Sequence, residues 1–172
     1  MFLSVHVFVG AAAGIATKNP MVGFFAGLVS HHLMDMIPHW DPGVFYFPEK
    51  DHGLSKRDLT IAAIDFGLCL IIMYTLARYI DVATLRGPAI WGMIGSIVPD
   101  IWHNIPWWEK YARDLPILCY WYRFHRLFHA TISPQYWWFG VVTQIVMVIV
   151  GWLIIAANVH SVQHVIGALP FS

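Results

Sequence analysis

The sequence predicts an all-α, multi-pass membrane bundle of about five membrane-embedded helices, formed by a single domain over residues 1–172. Hydrophobic residues make up 58% of the chain and charged residues 12%, against roughly 45–50% and about 25% in soluble domains. The mean hydropathy is +0.60. Long uncharged runs alternate with short polar stretches, as expected where each helix needs about 20 apolar residues to cross a bilayer. A soluble enzyme of this size is excluded, because it could not bury so much apolar surface.

Five apolar segments account for the predicted helix count. Residues 2–17 and 21–37 are separated by the turn signal Lys18-Asn19-Pro20, which predicts a helical hairpin. Each segment contains a GxxxG pattern, starting at Gly10 and at Gly23, which favours close helix contact. Because no basic residue precedes Lys18, we interpret the first segment as a retained membrane helix and not a signal peptide. The remaining predicted spans are residues 59–77, 83–98 and 135–159.

The charge and cysteine content argue against several classes of protein. Lys+Arg and Asp+Glu number ten each, so the sequence predicts no basic surface for nucleic acid. Cys69 and Cys119 lie in separate apolar segments and form neither a CxxC motif nor a disulfide framework. The chain has no serine nucleophile motif, Walker loop or HExxH helix, which disfavours serine hydrolases, P-loop enzymes and zincin proteases. The ten histidines, as many as the acidic residues, need another explanation.

Histidines and aspartates gather at one side of the membrane if the helices alternate in direction. His31, Asp35 and His39 share one helix face at i, i+4 and i+8, and His125 and His129 repeat the i, i+4 spacing. An ionised carboxylate at the bilayer centre costs at least about 2.5–3.5 kcal/mol, which a divalent cation would offset. Imidazoles and carboxylates suit zinc or a similar ion. We predict one to three ions, with these candidate ligands: His6, His31, Asp35, His39, Asp65, Asp100, His125 and His129.

Other interpretations stay open for single residues in this set. A lone histidine in an apolar helix, such as His6, is commonly a hydrogen-bonded packing residue, and Asp65 alone would suit an ion pair with an arginine. His32 lies about 100° around a helix from His31, so we expect it behind the ligands or at the membrane interface. His160 and His164 follow the last span and are expected to have no part in the site.

Four segments of the chain resemble a known family. Ser4-Val5-His6, the run SHHLMDMIPHWD from Ser30 to Asp41, GSIVPD ending at Asp100 and HRLFH ending at His129 resemble the bacterial inner-membrane proteins called membrane-bound metal-dependent hydrolases. The resemblance covers most of the chain from His6 to His129. More remotely, the His-x3-Asp helix followed by another histidine is similar to the zinc-dependent phospholipase C and single-strand nuclease superfamily, whose all-α enzymes hydrolyse phosphodiesters. That similarity implies zinc ligands at His31, Asp35 and His39, with Asp100 and His6 as further candidates.

These resemblances imply a metal-dependent hydrolase acting on a phosphoester, possible substrates being a lipid or a lipid-linked molecule at the bilayer surface. Bound ions would activate water, and Asp41 or Asp65 would accept its proton. The alternative is a non-enzymatic membrane protein that binds or transports a metal ion or a proton, because intramembrane acids and histidines also mark ion pathways. The bilayer is the predicted partner, no nucleic acid is predicted, and the sequence leaves the oligomeric state open.

Basic residues predict the orientation in a bacterial-type inner (plasma) membrane. Seven lie on the side of the histidine and aspartate residues and three, Lys18, Arg78 and Arg86, lie on the other. Because Lys and Arg are enriched on the cytoplasmic side, we predict that the metal site faces the cytoplasm. The seven are Lys50, Lys56, Arg57, Lys110, Arg113, Arg123 and Arg126.

Overall fold

The computed structural model describes residues 1–41, 56–104 and 115–167. The regular elements in these ranges are all helices, and the only β-structure there is an isolated bridge between His39 and Thr131. The all-α prediction is therefore confirmed. Among the basic residues used to predict the orientation, Lys50, Lys110 and Arg113 lie outside the described residues. The helices are α1 (Leu3–Thr17), α2 (Pro20–Asp35), α3 (Lys56–Tyr79), α4 (Ala83–Asn104), α5 (Pro116–Leu127) and α6 (Trp137–Gly167), with a 3-10 turn at Pro134–Tyr136.

The predicted hairpin between the first two helices is present, and local chemistry explains its turn. α1 ends at Lys18, which adopts a left-handed conformation with φ of 53°. The Asn19 side chain accepts hydrogen bonds from the N–H groups of Met21 and Val22, and so caps α2. Pro20 occupies the first helical position, where a backbone N–H would have no carbonyl partner within the helix, so its absence costs no hydrogen bond.

Helix α5 was not predicted from the sequence, where only the five apolar segments were expected to be membrane helices. α5 begins at Pro116 and is strongly two-sided. His125 on its inner side is 2% exposed, whereas Tyr120 and Leu127 are 72% and 82% exposed. The helix was missed because its 12 residues are too few and too polar to meet the criterion for a membrane span.

We call α1, α2 and α4 the inner helices, because glycines bring their backbones into direct contact. A Cβ atom added to Gly92 would collide with the carbonyl oxygen of Gly10 and lie 2.8 Å from the Cα of Gly14. A Cβ at Gly27 would collide with the carbonyl oxygen of Gly92. This is the close approach that GxxxG patterns permit, and it sets the spacing of the side chains further along each helix.

The inner helices α2 and α4 run in the same direction and in matched register, with a constant offset of 65 residues. Gly92 is followed by Asp100 at the same interval at which Gly27 is followed by Asp35. Contact at the glycines therefore carries both carboxylates to the same end of the bundle. The facing pairs are Gly27 with Gly92, His31 with Ser96, and Asp35 with Asp100.

We call α3 and α6 the outer helices, and both are long and apolar enough to cross a membrane. The qualifying segments are Leu59–Tyr79, with mean hydropathy 2.1, and Trp137–His164, with mean hydropathy 2.4. Only 17% and 22% of their residues are buried within the protein, so most of their apolar surface faces outward. Two of the five predicted membrane helices thus meet the criteria for a span. Membrane insertion of the inner helices stays a prediction.

One end of the bundle collects the polar segments. α1 and α6 begin there, while α2, α4 and α5 end there, as the alternating arrangement predicts. Backbone hydrogen bonds join the segment after α2 to the segment after α5: Ala130 N–H donates to the Asp35 carbonyl at 2.8 Å, and His39 N–H donates to the Ala130 carbonyl at 3.1 Å. The middle of the bundle is an apolar core that includes Val7, Ile15, Leu85, Met93 and Ile155.

Candidate metal centre

Seven polar side chains meet at this end of the bundle, and we call them the His/Asp centre. None is more than 12% exposed. All seven are among the eight ligands predicted from the sequence, and the structure brings these seven together. They are His6 from α1, His31 and Asp35 from α2, His39 after α2, Asp100 from α4, His125 from α5 and His129 after α5.

Backbone carbonyls set the protonation pattern of two of these histidines. His31 Nδ1 lies 2.8 Å from the carbonyl oxygen of Ser96, and His39 Nδ1 lies 2.9 Å from that of Ile37. A carbonyl oxygen only accepts, so both Nδ1 atoms carry a proton, and Nε2 is the nitrogen that each ring turns toward Asp35. A histidine that ligates a metal usually donates its other N–H in this way.

The contact between His31 and Asp35 needs a proton or a cation. His31 Nε2 lies 3.2 Å from Asp35 Oδ2, so a neutral ring protonated on Nδ1 would place two acceptors against each other in a buried site. Neither atom has a hydrogen-bond partner, and His39 Nε2 also lacks one. Buried polar atoms without partners are rare and commonly indicate a water or an ion. Either a proton or a metal ion is required between His31 and Asp35.

Four of the side chains form the first candidate site. One ligand atom from each of His31, Asp35, Asp100 and His125 lies within 4.8 Å of the others. Asp100 Oδ1 is 3.8 Å from His31 Nε2 and 3.7 Å from His125 Nε2. Ligands bound tetrahedrally at about 2.0–2.2 Å from zinc are separated by about 3.3–3.6 Å. The donor set of two imidazoles and two carboxylates therefore fits a divalent ion after only small side-chain movements.

Three side chains form the second candidate site, which shares Asp35 with the first. His39 Nε2 lies 3.9 Å from Asp35 Oδ1, and His129 Nε2 lies 3.9 Å from Asp35 Oδ2. Asp41, at 26% side-chain exposure, borders this site with Oδ2 3.7 Å from His129 Nε2. Burial lowers the pKa of His129 to about 4, and the Met1 ammonium adds to the effect. The ring is therefore neutral at pH 7, as metal binding requires.

His6 and Met1 contact the same carboxylates from α1. His6 Nε2 is 3.3 Å from Asp35 Oδ1 and 3.6 Å from Asp100 Oδ2, and its ring stacks on His31 with centroids 4.2 Å apart. The amino group of Met1 lies 3.2 Å from Asp35 Oδ1 and 3.7 Å from Asp41 Oδ2. Both oxygens of Asp35 thus face several partners, which makes this residue the hub of the centre.

Asp65, the eighth predicted ligand, is a residue of α3 whose carboxylate is hydrogen-bonded to the first turn of α1. Its Oδ2 accepts from Leu3 N–H at 2.7 Å, and its Oδ1 accepts from Ser4 N–H at 3.2 Å and from the Ser4 hydroxyl at 2.6 Å. α1 has no capping side chain of its own, so a carboxylate from α3 satisfies its free N–H groups. Asp65 belongs to none of the candidate ligand groups found among the described residues. No sequence pattern links residues 4 and 65, so this role was missed.

His32 lies closer to the centre than the sequence analysis expected. It is 8% exposed, neither ring nitrogen has a hydrogen-bond partner, and a nitrogen lies within 4.8 Å of ligand atoms of His31 and His125. Its ring packs edge-on against Trp121 and Phe124 of α5. Because α5 was not predicted, no signal indicated that a helix would cover this face of α2.

Comparisons of the chain with protein-family models, curated proteins and solved structures gave no significant match.

Proposed function

We propose that this chain is a membrane-embedded, metal-dependent hydrolase that cleaves a phosphoester, in a lipid or lipid-linked substrate, using zinc or a similar divalent ion. The observation that supports metal binding most strongly is the pair of histidines whose Nδ1 protons are held by backbone carbonyls while Nε2 of His31 faces a carboxylate. The resemblance of the SHHLMDMIPHWD, GSIVPD and HRLFH segments to membrane-bound metal-dependent hydrolases supports the reaction class.

Two ions with different roles suit this geometry. The site of His31, Asp35, Asp100 and His125 has four protein ligands and lies below the surface, which is typical of a structural ion. The site of Asp35, His39 and His129 has three, which is typical of a catalytic ion with one position left for water or substrate. Asp35 belongs to both groups and would supply a ligand to each ion.

The chemistry then divides between the ions and the protein. A bound divalent ion would acidify a coordinated water and polarise a phosphoryl oxygen. Asp41 borders the centre beside His129 and is more exposed than Asp35 and Asp100, so it is placed to accept the proton of the attacking water. Asp65, whose oxygens both bond α1, acts instead by holding the first turn of α1, two residues from His6.

A membrane location is supported by the outward faces of the outer helices. Exposed side chains include Ile71 at 60% and Tyr74 at 69% on α3, and Leu153 at 60% on α6. Contiguous apolar surface on this scale is typical of a face that contacts lipid or a partner. A centre located where the inner helices end would lie near the bilayer surface, within reach of a lipid headgroup.

Ion transport, the alternative function, is less compatible with the interior of the bundle. A transported ion needs polar groups along its path, and the described core beyond the His/Asp centre is built from apolar side chains such as Val7, Ala11, Ile15, Ala89 and Met93. At the far end of the bundle, Asp81 and Gln163 are exposed, and the Gln163 amide donates to the Asp81 carboxylate.

Metal stoichiometry tests the proposal directly. We expect about two ions per chain by elemental analysis of protein purified without chelator, one in the double variant His39→Ala/His129→Ala, and none in Asp35→Ala. The matched control is His160→Ala, because His160 is exposed on α6 far from the centre, and it should keep both ions. Metal-free wild-type protein of native stability would mean that a proton lies between His31 and Asp35, and would refute the proposal.

Hydrolysis is tested with a chromogenic phosphodiester, bis(p-nitrophenyl) phosphate, in detergent micelles. We expect turnover that chelation abolishes and that added zinc restores. Asp41→Asn should lower kcat by about 10²–10⁴-fold, the usual contribution of a general base, without changing the metal content. Full activity in Asp41→Asn would remove Asp41 from the reaction, and chelator-resistant turnover would exclude a metal-dependent one.

The proposed orientation places the His/Asp centre on the cytoplasmic side of the inner (plasma) membrane. Cysteines introduced at Ser55 and Ser172, in a background without Cys69 and Cys119, would report it through a membrane-impermeant thiol reagent. In intact cells we expect labelling at position 172 and none at 55, and the reverse pattern would overturn the orientation.

A further inference from the structure

An apolar groove runs along the outside of the bundle between the start of α1 and the first half of α6. It encloses about 270 Å³, near the lower end of the roughly 300–1,000 Å³ of ligand pockets. Val141, Ile145 and Val148 line it from α6 at i, i+4 and i+7, and Phe2 and Val5 line it from the α1 side. These side chains offer a ligand only hydrocarbon contacts.

The single polar residue in the groove wall has its hydrogen-bonding groups in use. The Gln144 side-chain oxygen accepts from Phe2 N–H at 3.3 Å, and its Nε2 donates to the Trp40 carbonyl at 2.8 Å and to the Gly140 carbonyl at 3.2 Å. Gln144 is 4% exposed. It therefore fastens α6 to α1 and to the segment after α2 and leaves the groove without a polar contact for a ligand.

The groove opens onto the outward face of a helix that qualifies as a membrane span. Ile145 is 53% exposed and Ile149 is 51% exposed, and both lie within Trp137–His164. In a bilayer, the molecules that meet such a surface are lipid acyl chains. A flexible alkyl chain also matches a narrow groove lined by valine and isoleucine.

One end of the groove lies next to the His/Asp centre. Phe2 packs edge-to-face against Trp40, with ring centroids 5.9 Å apart, and Trp40 stands between His39 and Asp41 in the sequence. The amino group of Met1, one residue from Phe2, is 3.2 Å from Asp35 Oδ1. A lipid with its chain in the groove would therefore carry its phosphate at the second candidate metal site.

We propose that this groove binds one acyl chain of a membrane phospholipid and thereby selects a phosphoester that bears a long chain over a water-soluble one. This inference rests on the proposed hydrolase function for its catalytic consequence, because chain selection matters only if the headgroup reacts. Binding of the chain itself depends only on the groove and can be measured without turnover.

Chain selection is tested with p-nitrophenyl alkyl phosphodiesters that share one reacting group and differ in the alkyl chain, butyl or hexadecyl. We expect wild-type protein in nanodiscs to favour the hexadecyl ester in kcat/KM. Val148→Phe, which fills the groove, should reduce that preference by about tenfold, the scale on which apolar pockets discriminate small changes in size. Val146→Phe is the matched control, because Val146 is 47% exposed on the same helix and does not line the groove.

A second measurement separates the groove from the enzyme. Phosphatidylglycerol with a photoreactive diazirine in its acyl chain should crosslink to residues 141–149 in wild type and in Val146→Phe, and several-fold less in Val148→Phe. A second filling variant, Val141→Phe, should repeat the loss; each variant is first shown to keep its metal content. Equal crosslinking in all variants, or an unchanged chain preference, overturns the groove assignment. Crosslinking without hydrolysis of either ester overturns the proposed hydrolase and leaves acyl-chain binding intact.

Discussion

The inner and outer helices of this protein are built from different residues for different surroundings. The outer helices α3 and α6 are nearly uniform apolar segments with at most 22% of their spanning residues buried. The inner helices are shorter or interrupted by glycine and proline, and their backbones touch at Gly10, Gly14, Gly27 and Gly92. Among the described helices, only the outer ones meet the length and hydropathy criteria for a span, and the inner helices that carry most of the polar centre do not.

The difference follows from what each helix must bury. A helix that faces lipid needs only apolar side chains, because its backbone groups are already bonded within the helix. A helix that contributes His31, Asp35 or Asp100 must shield these groups from hydrocarbon, and close glycine contacts let the neighbouring helices provide that shield. α2 and α4 therefore combine glycines that face each other with the polar residues of the centre.

The largest expected effect contrasts two glycines. Gly92→Ala places a methyl group against the backbones of Gly10 and Gly14 and should destabilise the protein by about 3 kcal/mol. Gly67→Ala on α3 meets no atom within 4 Å and should stabilise it by about 0.5–1 kcal/mol. Thermal unfolding in micelles measures both, and equal effects would mean that the inner helices are not held by backbone contact.

The next prediction contrasts adjacent histidines within α2. His31→Phe removes a ligand shared by two candidate groups and should abolish binding at the four-ligand site. His32→Phe should retain both ions, because the other members of its candidate group, His31 and His125, already belong to the four-ligand site. It should weaken the metal affinity by about tenfold, as expected for a residue behind the ligands. Competition with a chelator of known affinity measures the difference; loss of a whole ion in His32→Phe would make His32 a ligand.

The smallest expected effect contrasts the aspartates at the two ends of the bundle. Asp65→Ala leaves Leu3 N–H and the Ser4 groups without a partner and should cost about 1–3 kcal/mol. Asp81→Ala removes an exposed contact to Gln163 and should change stability by less than about 0.5 kcal/mol.

X-ray absorption at the metal edge completes the Asp65 test. We expect Asp65→Ala to keep the same number and type of ligands, because Asp65 acts through α1. Loss of an oxygen ligand would instead identify Asp65 as a ligand in the metal-bound protein.

Much of the centre could be predicted from spacing, because a helix repeats its faces without help from the rest of the chain. The i, i+4 separation of His31 and Asp35 indicated a shared face of α2. His39 and His129 were expected to continue such faces, but they lie beyond the ends of α2 and α5 and reach the centre from the segments that follow. The matched register of α2 and α4 also leaves a trace, since a glycine precedes an aspartate by eight residues in both helices, at Gly27 and at Gly92. That trace is too short to be read as a repeat before the two glycines are seen in contact.

The sequence by itself determined the helical class, the first hairpin and seven of the side chains that meet at one end, because hydropathy, turn residues and helical period are local properties. Only the tertiary structure decided which carboxylate faces the histidines and which one caps a helix. Asp35 and Asp65 are both aspartates in apolar helices, yet one faces four histidines and the other caps a neighbouring helix. The physical reason is that a carboxylate takes its role from the groups around it. Apart from His31 and His39, which lie four residues from Asp35, those groups come from segments about 30 to 94 residues away.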